Sequence, residues 1–97
     1  MLKAVLIFED REVLADASIM EMRIWRVSQP VPPSTHQYKY SLFFGYPGER
    51  VVGFDNERGK GDHKHIRSVE SPYIFRGPRQ LIEDFRAAIQ AIRDENS

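Results

Sequence analysis

Two nine-residue stretches, residues 19–27 and residues 38–46, alternate strictly between two kinds of side chain. In the first, Met20, Met22 and Ile24 oppose Glu21, Arg23 and Trp25. In the second, Tyr38, Tyr40, Leu42, Phe44 and Tyr46 oppose Lys39, Ser41, Phe43 and Gly45. A period of two is the signature of a strand with one face on a core. Between the two stretches stand Pro30, Pro32 and Pro33, none of which can donate to a sheet ladder, so residues 28–37 must leave the sheet and return.

The remaining elements are arranged around this pair. Residues 2–8 also alternate and predict a first strand, followed by a turn at Glu9, Asp10 and Arg11 and a short return at Val13 and Leu14. Pro47 and Gly48 supply a turn that pairs residues 51–55 back as a hairpin. Residues 56–62, with Gly59 and Gly61, read as a flexible loop. Residues 63–69 read as the next strand, and residues 73–75 as a short edge. Gly77 and Pro78 mark a helix start, after which Leu81, Ile82, Phe85, Ala88, Ile89 and Ile92 recur at spacings of three and four. The expected fold is α+β: a single antiparallel β-sheet, a meander of about five to six strands, packed against a C-terminal helix. With 97 residues, one domain over 1–97 is the expectation.

The chain contains no cysteine, which excludes a thiolate nucleophile, a disulfide framework and any sulfur-based zinc site. No apolar run approaches the length of a membrane span, so no membrane association is expected and the location is read as cytoplasmic. Net charge is zero but unevenly spread. Residues 1–22 carry 2 basic and 5 acidic groups, residues 23–69 carry 8 and 4, and residues 70–97 carry 4 and 5. The basic middle, which also holds all three histidines, suits an anionic ligand such as RNA, although an ordinary solvated sheet face would look the same.

The densest polar stretch runs Asp55-Asn56-Glu57-Arg58-Gly59-Lys60-Gly61-Asp62-His63-Lys64-His65. In an extended chain His63 and His65, two apart, project from one face. Imidazoles titrate near a pH of about 6.5 and can give or take a proton, while Lys60, Arg58 or Arg67 can neutralise a phosphate. Together they suit metal-independent RNA cleavage by the 2′-hydroxyl, with His63 and His65 as base and acid. A divalent ion on Asp62, His63 and His65 is an alternative, disfavoured by the surrounding cations. A third reading is a glycine hairpin with solvated side chains. Gly59-Lys60-Gly61 lacks the spacing of a phosphate-binding loop. His36 reads as a surface residue. The tyrosines of residues 38–46 read as core before they read as a stacking platform for bases, and Trp25 suits a partner interface or packing.

The runs Met22-Arg23-Ile24-Trp25-Arg26-Val27 and Tyr38-Lys39-Tyr40-Ser41-Leu42, the proline loop ending in His36, and above all Gly59-Lys60-Gly61-Asp62-His63-Lys64-His65 resemble the TumE-like family of prokaryotic toxin components. The resemblance covers about Glu21 to the C-terminal helix. It implies a toxin encoded beside a helix-turn-helix antitoxin that neutralises it by direct binding. Ribonuclease activity follows by analogy with other toxins of this size. The expected catalytic set is His63, His65, Lys60, Asp62 and Asp55, with an aspartate orienting a histidine. Arg23, Tyr40, Arg58 and Lys64 are expected as phosphate and base contacts. No metal and no cofactor are expected. An unpaired edge near Tyr73 would allow a homodimer. The competing class is a non-catalytic protein that binds a partner through the tyrosine strand and the basic loop.

Overall fold

The computed structural model describes residues 3–95, so Leu2 of the expected first strand lies outside the described residues. Six strands follow in order: β1 (Ala4–Val13), β2 (Ile19–Val27), β3 (Tyr38–Tyr46), β4 (Glu49–Glu57), β5 (Gly61–Ile66) and β6 (Val69–Pro72). One helix, α1 (Pro78–Glu95), closes the chain. The strands form one antiparallel meander in which each strand pairs with the next in sequence. This is the α+β arrangement that the alternation and the helical stripe predict.

The helix covers one face of the sheet. Met22, Ile24, Tyr40, Leu42, Phe44, Val52 and Phe54 from the three central strands meet Leu81, Phe85, Ile89 and Ile92 of α1, all buried. Phe54 and Phe85 meet edge to face with ring centroids 5.9 Å apart, and Tyr73 meets Phe54 similarly at 5.0 Å. Gly77 offers its carbonyl to the Leu81 N–H at 3.0 Å, so the helix opens where Pro78 has no N–H to lose.

Four local expectations are corrected. The strand expected over residues 63–69 ends at Ile66, where a turn at residues 67–68 leads Val69 into β6. Glu9, Asp10 and Arg11 form no turn: β1 runs unbroken from Ala4 to Val13, with an irregularity in register between Leu6 and Phe8. This edge strand is largely exposed, with only Phe8 and Asp10 partly buried, so polar residues in it carry little penalty; Val5, Leu6, Ile7 and Val13 are exposed as well. Asn56 and Glu57 belong to β4 rather than to a loop, and the turn into β5 is confined to residues 58–60. Residues 73–75 add no strand. The edge ends at Pro72, after which Tyr73 and Phe75 turn their rings onto Phe54 and onto His36 and Tyr40.

Phe85 is completely buried at the centre of the helix–sheet contact. Phe85→Ala is expected to destabilise the fold by about 3 to 5 kcal/mol through lost burial and a residual cavity. The denaturation midpoint, compared with that of the wild type, measures it.

Candidate functional site

Antiparallel pairing places directly opposed residues on the same face, so the register fixes which side chains can meet. Across the face that α1 leaves open, one row runs Glu9, Arg23, Ser41, Asp55, His63 and Pro72. The next row runs Arg11, Glu21, Phe43, Gly53, His65 and Glu70. The structure therefore brings together Asp55, His63 and His65 of the sequence-predicted set. It sends Asp62, Lys64 and Tyr40, which alternate with them, to the helix-covered face.

On the helix-covered face Asp62 is the hub of a closed hydrogen-bond network. Its Oδ2 accepts His36 Nε2–H at 2.6 Å and the Tyr40 hydroxyl at 2.8 Å, and its Oδ1 accepts the Ser34 hydroxyl. The other ring nitrogen of His36, Nδ1, accepts the Tyr38 N–H at 3.2 Å. A backbone N–H can only donate, so Nδ1 carries no proton and Nε2 carries one. Both nitrogens of His36 are spent on structure. Its ring stacks on Phe75 with centroids 3.9 Å apart. Buried Asn56 completes the clamp, accepting Tyr40 N–H at 2.9 Å and donating to the Tyr38 carbonyl at 2.8 Å. Burial and the bond to Asp62 hold the Tyr40 hydroxyl far above the usual tyrosine range, so it stays a donor. Asp62 thus orients His36, which the sequence left as a surface residue, and neither of the two histidines beside it. Tyr40 is 1% exposed and offers no ring face to a base.

On the open face the arrangement is different. His63 is 5% exposed, and its Nδ1 lies 2.9 Å from the Gly61 carbonyl, which can only accept, so Nδ1 carries the proton. The Nε2 of His63 meets Asp55 Oδ1 at 2.5 Å. Were Nε2 unprotonated and Asp55 ionised, lone pair would face lone pair, so a proton on one of the two atoms suits this approach; Oδ1 has no well-aligned hydrogen-bond donor. Burial raises the Asp55 carboxyl above its ordinary value, with the charge of His63 acting in the opposite direction. His65 follows on the same face, its ring 5.1 Å from that of His63. Its Nε2 lies 3.9 Å from Glu70 Oε1, beyond hydrogen-bond reach. Burial first, and the neighbouring Arg50 charge second, lower the pKa of His65 and favour the neutral ring.

Gly61 is the backbone device that sets this up. Its φ of +77° belongs to the left-handed region, and a Cβ there would come within 3.1 Å of the Pro33 ring. The proline loop therefore seats directly on the residue whose carbonyl orients His63. Gly59 N–H bonds the Pro32 carbonyl at 2.8 Å, tying the same turn to the same loop.

The other predicted residues are dispersed. Lys60 is exposed, with Nζ 4.0 Å from Glu70 Oε1, at the rim of the histidine pair. Arg58 is exposed in the turn. Lys64 joins Phe54, Tyr73, Arg76 and Asp84 along an open cleft on the helix side. Arg23 shares the row of His63 but is two strands beyond Asp55 and already pairs with Glu9 at 2.9 Å and Glu21 at 3.7 Å. The sequence missed Arg50 and Glu70. Arg50 lies across Gly53, where an added Cβ would sit 2.6 Å from its Cδ, and Gly53 is the direct partner of His65. A glycine opposite the second histidine was the available signal.

A family model described as Toxin TumE matches residues 3–93. The chain belongs to the TumE toxin family. It is therefore the toxin of a toxin–antitoxin module, and membership of the TumE family implies an antitoxin partner. The match takes in β1, ahead of the point where the sequence resemblance begins. No curated protein and no solved structure matches the chain. Among the described residues no helix is long and apolar enough to cross a membrane.

Tyr40→Phe removes one donor to Asp62 without changing shape. A hydrogen bond to a charged group contributes roughly 1.5 to 3 kcal/mol, so a loss of that size is expected in chemical denaturation. An unchanged midpoint would mean that the hydroxyl does not hold Asp62.

Proposed function

We propose that this toxin cleaves RNA without a metal ion, using the open sheet face. The observation that carries the reading is the juxtaposition of His65, whose Nε2 has no hydrogen-bond partner among the described residues, with an Asp55–His63 pair whose facing atoms are 2.5 Å apart and share a cationic species in this reading. That species is a proton. His65 takes the proton of a ribose 2′-hydroxyl, the 2′-oxygen attacks the adjacent phosphorus, and the bond to the 5′-oxygen breaks. The departing oxygen receives the proton held by the pair through Asp55, whose side chain is more exposed than that of His63. Arg50 and Lys60 supply positive charge where the phosphate gains negative charge.

The surroundings suit a single-stranded anion. Trp25, Phe43 and Lys39 share the open face with the histidines, and Lys39 Nζ lies 5.6 Å from the centre of the Trp25 ring. Aromatic faces interleaved with cations are the usual means of holding unpaired bases and phosphates. Tyr40 and Lys64, expected among the RNA contacts, have no place in this mechanism because they face the helix side. Asp62 acts only through the loop it anchors. The antitoxin, on the resemblance, is a helix-turn-helix protein.

Purified toxin incubated with RNA and a chelator is expected to leave 2′,3′-cyclic phosphate ends, with a bell-shaped dependence of rate on pH. His65→Gln is expected to slow cleavage by about 100-fold or more while the melting temperature stays near wild type. Cleavage that stops in the chelator, or survives His65→Gln undiminished, contradicts the proposal.

A further inference from the structure

We infer that His63, His65 and Glu70 form a binding site for Zn2+, with Asp55 beside it, and that Zn2+ bound there switches the site off. The ligand atoms of the first three residues all lie within 4.8 Å of one another. Glu70 Oε1 is 3.9 Å from His63 Nε2 and 3.9 Å from His65 Nε2, so a single carboxylate oxygen is shared between two imidazole nitrogens. Tetrahedral zinc holds nitrogen and oxygen at about 2.0 to 2.2 Å, which places its ligands roughly 3.3 Å apart. Closing the 3.9 Å separations, and the one of at most 4.8 Å between the two imidazoles, requires side-chain movement on a strand pair already in register, since His65 and Glu70 are directly opposed across β5 and β6.

Two further observations point to a cation. The proton of His63 is committed to the Gly61 carbonyl through Nδ1, the arrangement typical of a metal-bound histidine, and this turns the Nε2 lone pair toward the cluster. Asp55 Oδ1 is buried 2.5 Å from that lone pair with no well-aligned donor of its own. A divalent ion satisfies both acceptors, and two carboxylates offset its charge. Two imidazoles favour zinc over magnesium or calcium, which prefer oxygen.

The alternative cation set weighed from the sequence, Asp62, His63 and His65, is not brought together, because Asp62 faces the other side of the sheet. The same alternation removes Lys64 from the vicinity, and with it part of the positive charge that argued against a cation. Lys60 is exposed and reaches Glu70 only at 4.0 Å, so it can swing away.

Zn2+ on His65 Nε2 would occupy the lone pair needed to accept a proton. This inhibitory consequence rests on the acid–base reading above, whereas the binding does not. The test of binding uses no RNA. Wild-type toxin freed of metal is titrated with Zn2+ by calorimetry and with Co2+ by visible absorption. One equivalent of Zn2+ is expected, with Co2+ bands of tetrahedral intensity. Glu70→Gln should bind at least ten-fold more weakly and His65→Gln should lose stoichiometric binding, both with far-ultraviolet circular dichroism unchanged. Absence of stoichiometric Zn2+ binding, or binding equal to wild type in both variants, overturns the site. If Zn2+ binds but RNA cleavage by metal-freed toxin in chelator-free buffer is not lowered by one equivalent of Zn2+, the inhibitory switch is overturned.

Discussion

The carboxylate of Asp62 is the point on which the rest of the architecture depends. It is largely buried, and it is matched by three donors drawn from distant parts of the chain: Ser34 and His36 from the proline loop and Tyr40 from β3. A buried charge is tolerated only when hydrogen-bonded this fully. Satisfying it fixes the loop against the end of the sheet. The loop in turn seats Pro33 over Gly61 and Phe75 against His36. The carbonyl of Gly61 is then held where it orients His63 on the opposite face. A structural network on one side of β5 thereby sets the geometry of a chemical one on the other.

Strand alternation accounts for this division. Asp62, under the proline loop, and Lys64, beside α1, share one face, while Gly61, His63 and His65 belong to the other side. The same rule explains why the positively charged run of residues 58–65 does not act as one patch. Its members divide between two faces and a turn. The open face keeps the two histidines, Asp55 and the rim lysine, and gains Arg50 and Glu70 from neighbouring strands.

Much of the fold was legible in local pattern. The alternation of β2 and β3, the Pro-Gly turn and the helical stripe each encode burial on one face, and burial is what the sheet and helix exchange. The pattern failed where burial was absent or came from far away. In β1 the polar run Glu9-Asp10-Arg11 looked like a turn because beyond Phe8 this edge strand packs no apolar side chain on the core. In residues 73–75 three apolar side chains looked like a strand, whereas Tyr73 and Phe75 are apolar because they pack on rings brought there by the tertiary fold. The pairing of His63 and His65 followed from spacing alone. His36 could not be placed, because its partner Asp62 lies 26 residues away and nothing local signals that contact. Arg50 was hidden for a similar reason, since its role depends on Gly53 and on the strand beyond it.

The central claim is that the hydrogen-bond framework assigns opposite tasks to the histidines, spending both nitrogens of His36 on the fold and leaving His65 available on the open face. Long-range proton–nitrogen correlation spectra of the uniformly labelled toxin, in chelator at neutral pH, report the protonation of each ring nitrogen directly. The account predicts His36 with its proton on Nε2, His63 protonated at Nδ1, and His65 neutral. A proton on Nδ1 of His36, or a doubly protonated His65 at neutral pH, would contradict it.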